Sequence, residues 1–349
     1  LSKQPVMASV LRRAVSAALL LALAPSAGAA EPEARLVLHH FLGPQSPLHV
    51  EFAVPWAEQV EQASGGRIEI DIFPAMALGG RPPDLYRQAR DGTADIVWTL
   101  IGYTPGVFPR SEVFELPSVH RGSARATNVA IQEVYAGMLA DDFSDVHPIL
   151  VHAHGGNALH LGGDPVAGVE DLRGKKIRTP SRTGAWLIEE WGADPVGMPL
   201  PDLPQALSKG VVEGALIPFE VMAPMRVEEM TTQSLEGAAR FGTSVFLFAM
   251  NKERYGALPD DLRAIIDAHS GPAIAEQVGV TWDAREPPGK QAQIDSGGAL
   301  VTLTADAQAE FDRRSAAVEE RWIRSADENG LDGKALVDAA KEAISLASR

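Results

Sequence analysis

The segment GKKIRTP at residues 174–180, followed by GADPVGMPLPDLPQAL from residue 192 and KGVVEGALIP from residue 209, constrains this chain more than any other stretch. Residues 175–179 follow a polar lead-in and have strand composition. Pro180-Ser181 then ends the strand and supplies the N-cap of a helix running through Trp186 to Trp191. A second strand over residues 194–198 leads into a short helix beginning at Pro201-Asp202, and residues 211–217 supply a third strand. Strand, helix, strand, helix, strand predicts a parallel sheet with its loops gathered at one edge. Arg178 falls at the carboxyl end of the first of these strands, where open α/β sheets hold their ligands. A planar guanidinium there can clamp a carboxylate through two parallel hydrogen bonds.

In order and spacing, the three blocks resemble the solute-binding proteins of tripartite ATP-independent periplasmic (TRAP) transporters. Their pattern is close to L-K-G-x-K-[IL]-R-x-P, G-A-x-P-x-x-M-P and A-L-x-x-G-V-[VI]-[DE]-G. The resemblance continues in SPLHVEFAVPWAEQVEQASGGRIEIDIFPAMALGG, LYRQARDGTADIVW and FLFAMNKERYGALPDDLRAII, so it spans most of residues 35–270. It implies an α/β fold of the two-lobed periplasmic binding protein kind (type II-like), with a ligand cleft between the lobes and a hinge of crossing strands and a long helix. Residues 31–154 with about 244–283 are expected in the first lobe, and 155–243 with about 284–349 in the second. The implied function is periplasmic capture of an organic acid and its delivery to the membrane subunits of a TRAP permease, without catalysis and without a cofactor. Delivery to an ABC transporter or a sensor, and a periplasmic enzyme on a related fold, are the competing readings.

Two departures from the family pattern bear on the ligand. Many members carry a second arginine in a G-x-R element upstream of the clamp, and here that stretch reads Gly155-Gly156-Asn157-Ala158; many place an asparagine where Ile217 precedes Pro218. With Arg178 as clamp, and with His40, Phe41, Trp98, Tyr103, Asn157, Ile217, Phe219 and Glu220 placed around it, the pocket suits a monocarboxylate with an apolar or aromatic body. A C4-dicarboxylate is the alternative. Glu220 either hydrogen-bonds a ligand hydroxyl or amine or caps the following helix.

The first thirty residues are of another kind. Arg12-Arg13, an apolar run over residues 14–24 and the small-residue site Ala27-Gly28-Ala29 form a signal-peptide pattern with a start at Met7, which predicts export to the periplasm. Eleven apolar residues are too few to span ~30 Å of hydrocarbon. Residues 1–30 hold three of the 31 basic residues and none of the 46 acidic ones, so removing them takes the net charge from -15 to -18. Such a surface repels nucleic acid and anionic lipid, and a soluble monomer is expected.

The chain contains no cysteine, which excludes a thiol nucleophile, a thiolate metal site and disulfides. It also lacks the G-x-S-x-G, H-E-x-x-H, G-x-x-x-x-G-K-[ST] and G-x-G-x-x-G motifs. His152 and His154 share one face of a predicted strand over residues 147–154. Two histidines without a nearby carboxylate read as structural rather than as metal ligands, and no catalytic or metal-binding set is assigned. Elsewhere the spacing predicts helices over residues 47–61, 83–89, 124–139, 259–268, 305–326 and 334–348, with another from about 272. It predicts further strands over 68–73, 94–98 and 244–250.

Overall fold

The computed structural model describes residues 31–237 and 240–349; the expected signal peptide lies outside them. Among the described residues eleven strands form two sheets. They are β1 (Ala34–His40), β2 (Ile68–Phe73), β3 (Ile96–Leu100), β4 (Val146–Ala153), β5 (Ala158–Leu161), β6 (Lys176–Thr179), β7 (Asp194–Gly197), β8 (Gly214–Ile217), β9 (Gln233–Glu236), β10 (Val245–Asn251) and β11 (Ala299–Thr302). The first sheet runs β2-β1-β3-β10-β4 and the second β11-β9-β5-β8-β6-β7, giving the two-lobed α/β architecture.

The three motif strands β6, β7 and β8 are parallel, with Arg178 opposite Val196 on one side and Ala215 on the other. That bears out the parallel arrangement expected for these three strands, while the sheets as wholes are mixed. β10 runs antiparallel to β3 and β4, and β5 runs antiparallel to β8 and β9. The cause is the chain's path. β4 leaves the first sheet and β5 opens the second within four residues, while β10 returns from the second and inserts between β3 and β4.

Local signals place the flanking helices. Ser181 caps helix Arg182–Glu190, its Oγ accepting from Gly184 N at 3.3 Å, and Ser123 caps Ala124–Val134 by accepting from Ala126 N at 3.2 Å. The apolar face of the 24-residue helix Ala305–Glu328 brings Phe311 edge-on to Trp191, with ring centroids 5.2 Å apart, against helix Arg182–Glu190. The last helix, Gly333–Ala347, packs on Ala124–Val134 beside the first sheet. No described helix is long and apolar enough to cross a membrane.

Candidate functional site

Arg178 emerges from the end of β6 into the space between the sheets and is only 2% exposed. Its Nε donates to Met198 O at 3.0 Å and its Nη1 to Leu216 O at 3.4 Å, while Nη2 lies 3.5 Å from the Tyr103 hydroxyl. These partners are neutral. Burial presses the guanidinium pKa below its usual value, opposed by Tyr103 and, more weakly, by Asp202. A buried charge held only by dipoles is costly unless an ion of opposite sign joins it. The arrangement therefore attracts an anion.

Around the cation lies a cavity of about 390 Å³, counting the space that opens to solvent. Of the residues singled out in the sequence it gathers Phe41, Trp98, Tyr103, Asn157, Arg178, Ile217 and Glu220. Its aromatic wall is continuous: Trp98 stacks on Phe246 at 4.5 Å and on Phe41 at 5.1 Å, and Phe41 meets Tyr103 edge-on at 5.5 Å. Offset ring pairs at these distances are favourable beyond their buried area.

His40 and Phe219 stand outside that lining. His40 is buried with its Nε2 3.0 Å from His49 Nδ1. Phe219 faces His160 edge-on at 4.9 Å and lies under the guanidinium of Arg240 and the ammonium of Lys290. Conversely, His154, read from the sequence as structural, lines the cavity, as do Leu200, Ser244 and Phe246, which the sequence did not mark. The last two come from residues 244–246, at the start of β10. The strand was visible as an apolar run, but nothing local shows which lobe it joins or which face looks into the cleft.

The histidines serve the framework. Trp98 Nε1 donates to His152 Nε2 at 2.9 Å and Trp282 Nε1 approaches its Nδ1 at 3.2 Å. Burial lowers the His152 pKa to about 3, and the neutral ring can accept only one of these two indole protons. His160 is lowered to about 3 by burial too, and bridges Ser234 Oγ and Ile217 O. Among the described residues no three His, Cys, Asp or Glu side chains converge to hold a metal.

A second arginine does approach the clamp region, from a place the family pattern does not predict. Arg240 packs against Gly156, where an added Cβ would sit 2.5 Å from the Arg240 Cβ. Its guanidinium is engaged by Glu236, at 2.8 Å, and by Glu286, and it does not line the cavity.

The two lobes meet directly beside the cavity. Tyr103 accepts from Leu200 N at 2.8 Å, and Arg81 pairs with Asp202 at 2.9 Å. Arg182 Nε lies 2.9 Å from both carboxylate oxygens of Glu112, and Thr183 Oγ1 donates to Glu115 Oε2 at 3.0 Å. Gly102 lies so close to Ser181 that a Cβ added to it would sit 2.7 Å from that residue's Cβ. The cleft is closed over the cavity.

Residues 38–325 match the family described as bacterial extracellular solute-binding protein, family 7 (DctP). The chain is 40% identical to a TRAP solute-binding protein from an unidentified marine microbe, described as specific for aromatic acid ligands and solved with metahydroxyphenylacetate. That alignment covers 90% of this chain and 100% of the other, with a TM-score of 0.88. A TRAP solute-binding protein from Rhodoferax ferrireducens, solved with copurified benzoate, is 39% identical over 90% of this chain and 98% of its own, with a TM-score of 0.87. A protein from Bordetella bronchiseptica holding mandelate shares the fold at 23% identity, covering 89% and 99%, with a TM-score of 0.83.

Proposed function

This chain belongs to the family-7 bacterial extracellular solute-binding proteins, as a binding component of the TRAP type, and on that premise we propose that its ligand is an aromatic monocarboxylate clamped by Arg178. The observation that carries the reading is a buried guanidinium with neutral partners opening into an aromatic-walled cavity. A ring buried there gains about 25 cal/mol per Å² of apolar surface. A second carboxylate would be left without a cation, because Arg240 is already paired with Glu236 and Glu286. The aromatic acids held by the two relatives near 40% identity point the same way.

In this reading residues 31–154 with about 244–283 form one lobe and residues 155–243 with about 284–349 the other, except that the last helix, expected with the second, packs on Ala124–Val134 and is assigned to the first. The protein acts as a monomeric periplasmic receptor, not as a catalyst, and passes its cargo to the permease; its acidic surface keeps it from nucleic acid. Calorimetry on the purified protein with benzoate, phenylacetate, mandelate, succinate, malate and sialic acid tests the ligand class. An aromatic monocarboxylate should bind tightest, and Arg178→Ala should weaken it by ~2–5 kcal/mol. Tightest binding of a C4-dicarboxylate, or affinity of Arg178→Ala within threefold of wild type, overturns the reading.

A further inference from the structure

Besides Tyr103 and His154 the cavity lining holds a guanidinium, Arg178, and a carboxyl, Glu220, and the proposed clamp accounts only for the first. Glu220 stands in the helical turn Phe219–Val221 that follows β8, and it lines the cavity together with Phe41, Trp98, Ile217 and Phe246. Its Oε2 is buried and has no hydrogen-bond partner among the described residues. Buried polar atoms in native proteins are nearly always partnered, so an orphan facing a ligand cavity points to a partner on the ligand.

We propose that Glu220 is the specificity-determining residue that reads a hydroxyl on the body of the bound acid, so that hydroxylated aromatic acids bind in preference to their parents. The inference rests on the aromatic-monocarboxylate reading and extends it to the far end of the ligand. Burial, then the nearby carboxylates of Glu286 and Asp283, hold the Glu220 pKa well above the usual carboxylate range. The shift favours the protonated form, and a protonated carboxyl offers a donor as well as an acceptor, as a phenolic hydroxyl does. A second anionic group beside Glu220 would lie in the field of the Glu286 and Asp283 carboxylates, which already raises the Glu220 pKa. An unsubstituted ring would leave the carboxyl orphaned, and sites built to pair with a hydroxyl discriminate strongly against analogues that lack it.

The test is calorimetry with benzoate, 3-hydroxybenzoate, 4-hydroxybenzoate and the cationic 3-(aminomethyl)benzoate on wild type, Glu220→Gln, Glu220→Leu and Asn157→Leu. Asn157 is included because its Oδ1 is also buried and unpartnered in the same cavity. Wild type should prefer one hydroxybenzoate over benzoate by about tenfold or more. In Glu220→Leu that ratio should fall to within threefold of unity. Glu220→Gln, which can still donate and accept, should keep most of the preference and serves as the control if the leucine variant folds poorly. No hydroxyl preference in wild type, a preference that survives in Glu220→Leu, or tightest binding of the aminomethyl compound overturns the proposal. So does a preference lost only in Asn157→Leu. If no benzoate binds wild type while a dicarboxylate does, it is the aromatic reading itself that has failed.

Discussion

Tyr103→Phe isolates the step in which the lobes close from the step in which the ligand is gripped. The hydroxyl comes from the first lobe and accepts from Leu200 N of the second at 2.8 Å; its separation from Arg178 Nη2, 3.5 Å, is too long to add much. Removing it leaves the buried Leu200 amide without an acceptor in the closed form, a cost of about 1–3 kcal/mol. In the open form water can take that amide, so the penalty falls on closure and not on folding. At 1.36 kcal/mol per factor of ten, apparent affinity should drop roughly fivefold to 150-fold. The loss should be the same for every ligand, because a smaller closed population scales all affinities alike. Calorimetry across the aromatic acids, with melting of the ligand-free protein and small-angle scattering as companions, measures each part. Affinity within twofold of wild type would refute the reasoning. So would a matching drop in ligand-free melting temperature, which would place the bond in the fold instead of the closure.

Gly102→Ala should also act on closure, since its new Cβ would meet the Ser181 Cβ at 2.7 Å only when the lobes are together; binding should weaken tenfold or more on the scale of an overpacked contact, with ligand-free melting unchanged. Glu115, buried between Val245 N, Thr183 and Ser181 with Glu112 near it, has its pKa raised to about 8, chiefly by burial. Between the unfolded value near 4.5 and about 8 the folded chain holds a proton that the unfolded chain has lost, so stability falls as pH rises through that window. The buried histidines act in the opposite direction, and only below about 6.5. Melting temperature should therefore fall from pH 6.5 to 8.5 in wild type and fall less in Glu115→Gln; parallel curves would exclude Glu115 as a source.

What could be read from the residues was mostly what is local. β6, the Ser181 cap, helix Arg182–Glu190 and β2 declare themselves because turn residues and apolar periodicity lie within one short window. β5 escaped notice: its four residues are all buried, so no alternation marks them, and His160 sits among them. β9 reads Gln-Ser-Leu-Glu and is a strand through its pairing with β5 and β11 rather than its propensity. The position of Arg178 at the end of β6 was legible because one motif places it. The aromatic wall was half legible: Phe41, Trp98 and Tyr103 stood out as residues, but Phe246 joins them through its contact with Trp98, 148 residues away in sequence, which no window spans. Arg240 was missed for the same reason.

The insertion of β10 between β3 and β4 also governs the order in which the protein can be made. A chain synthesised from its amino end produces β1 to β4 first, yet β3 and β4 are never neighbours in the finished sheet. Until residue 251 exists, each presents an unpaired edge with no complement, and such edges recruit other chains. No amino-terminal fragment ending before β10 is a smaller version of the first lobe. Folding must wait for most of the polypeptide, and a truncation in the second lobe damages the first as surely as one within it.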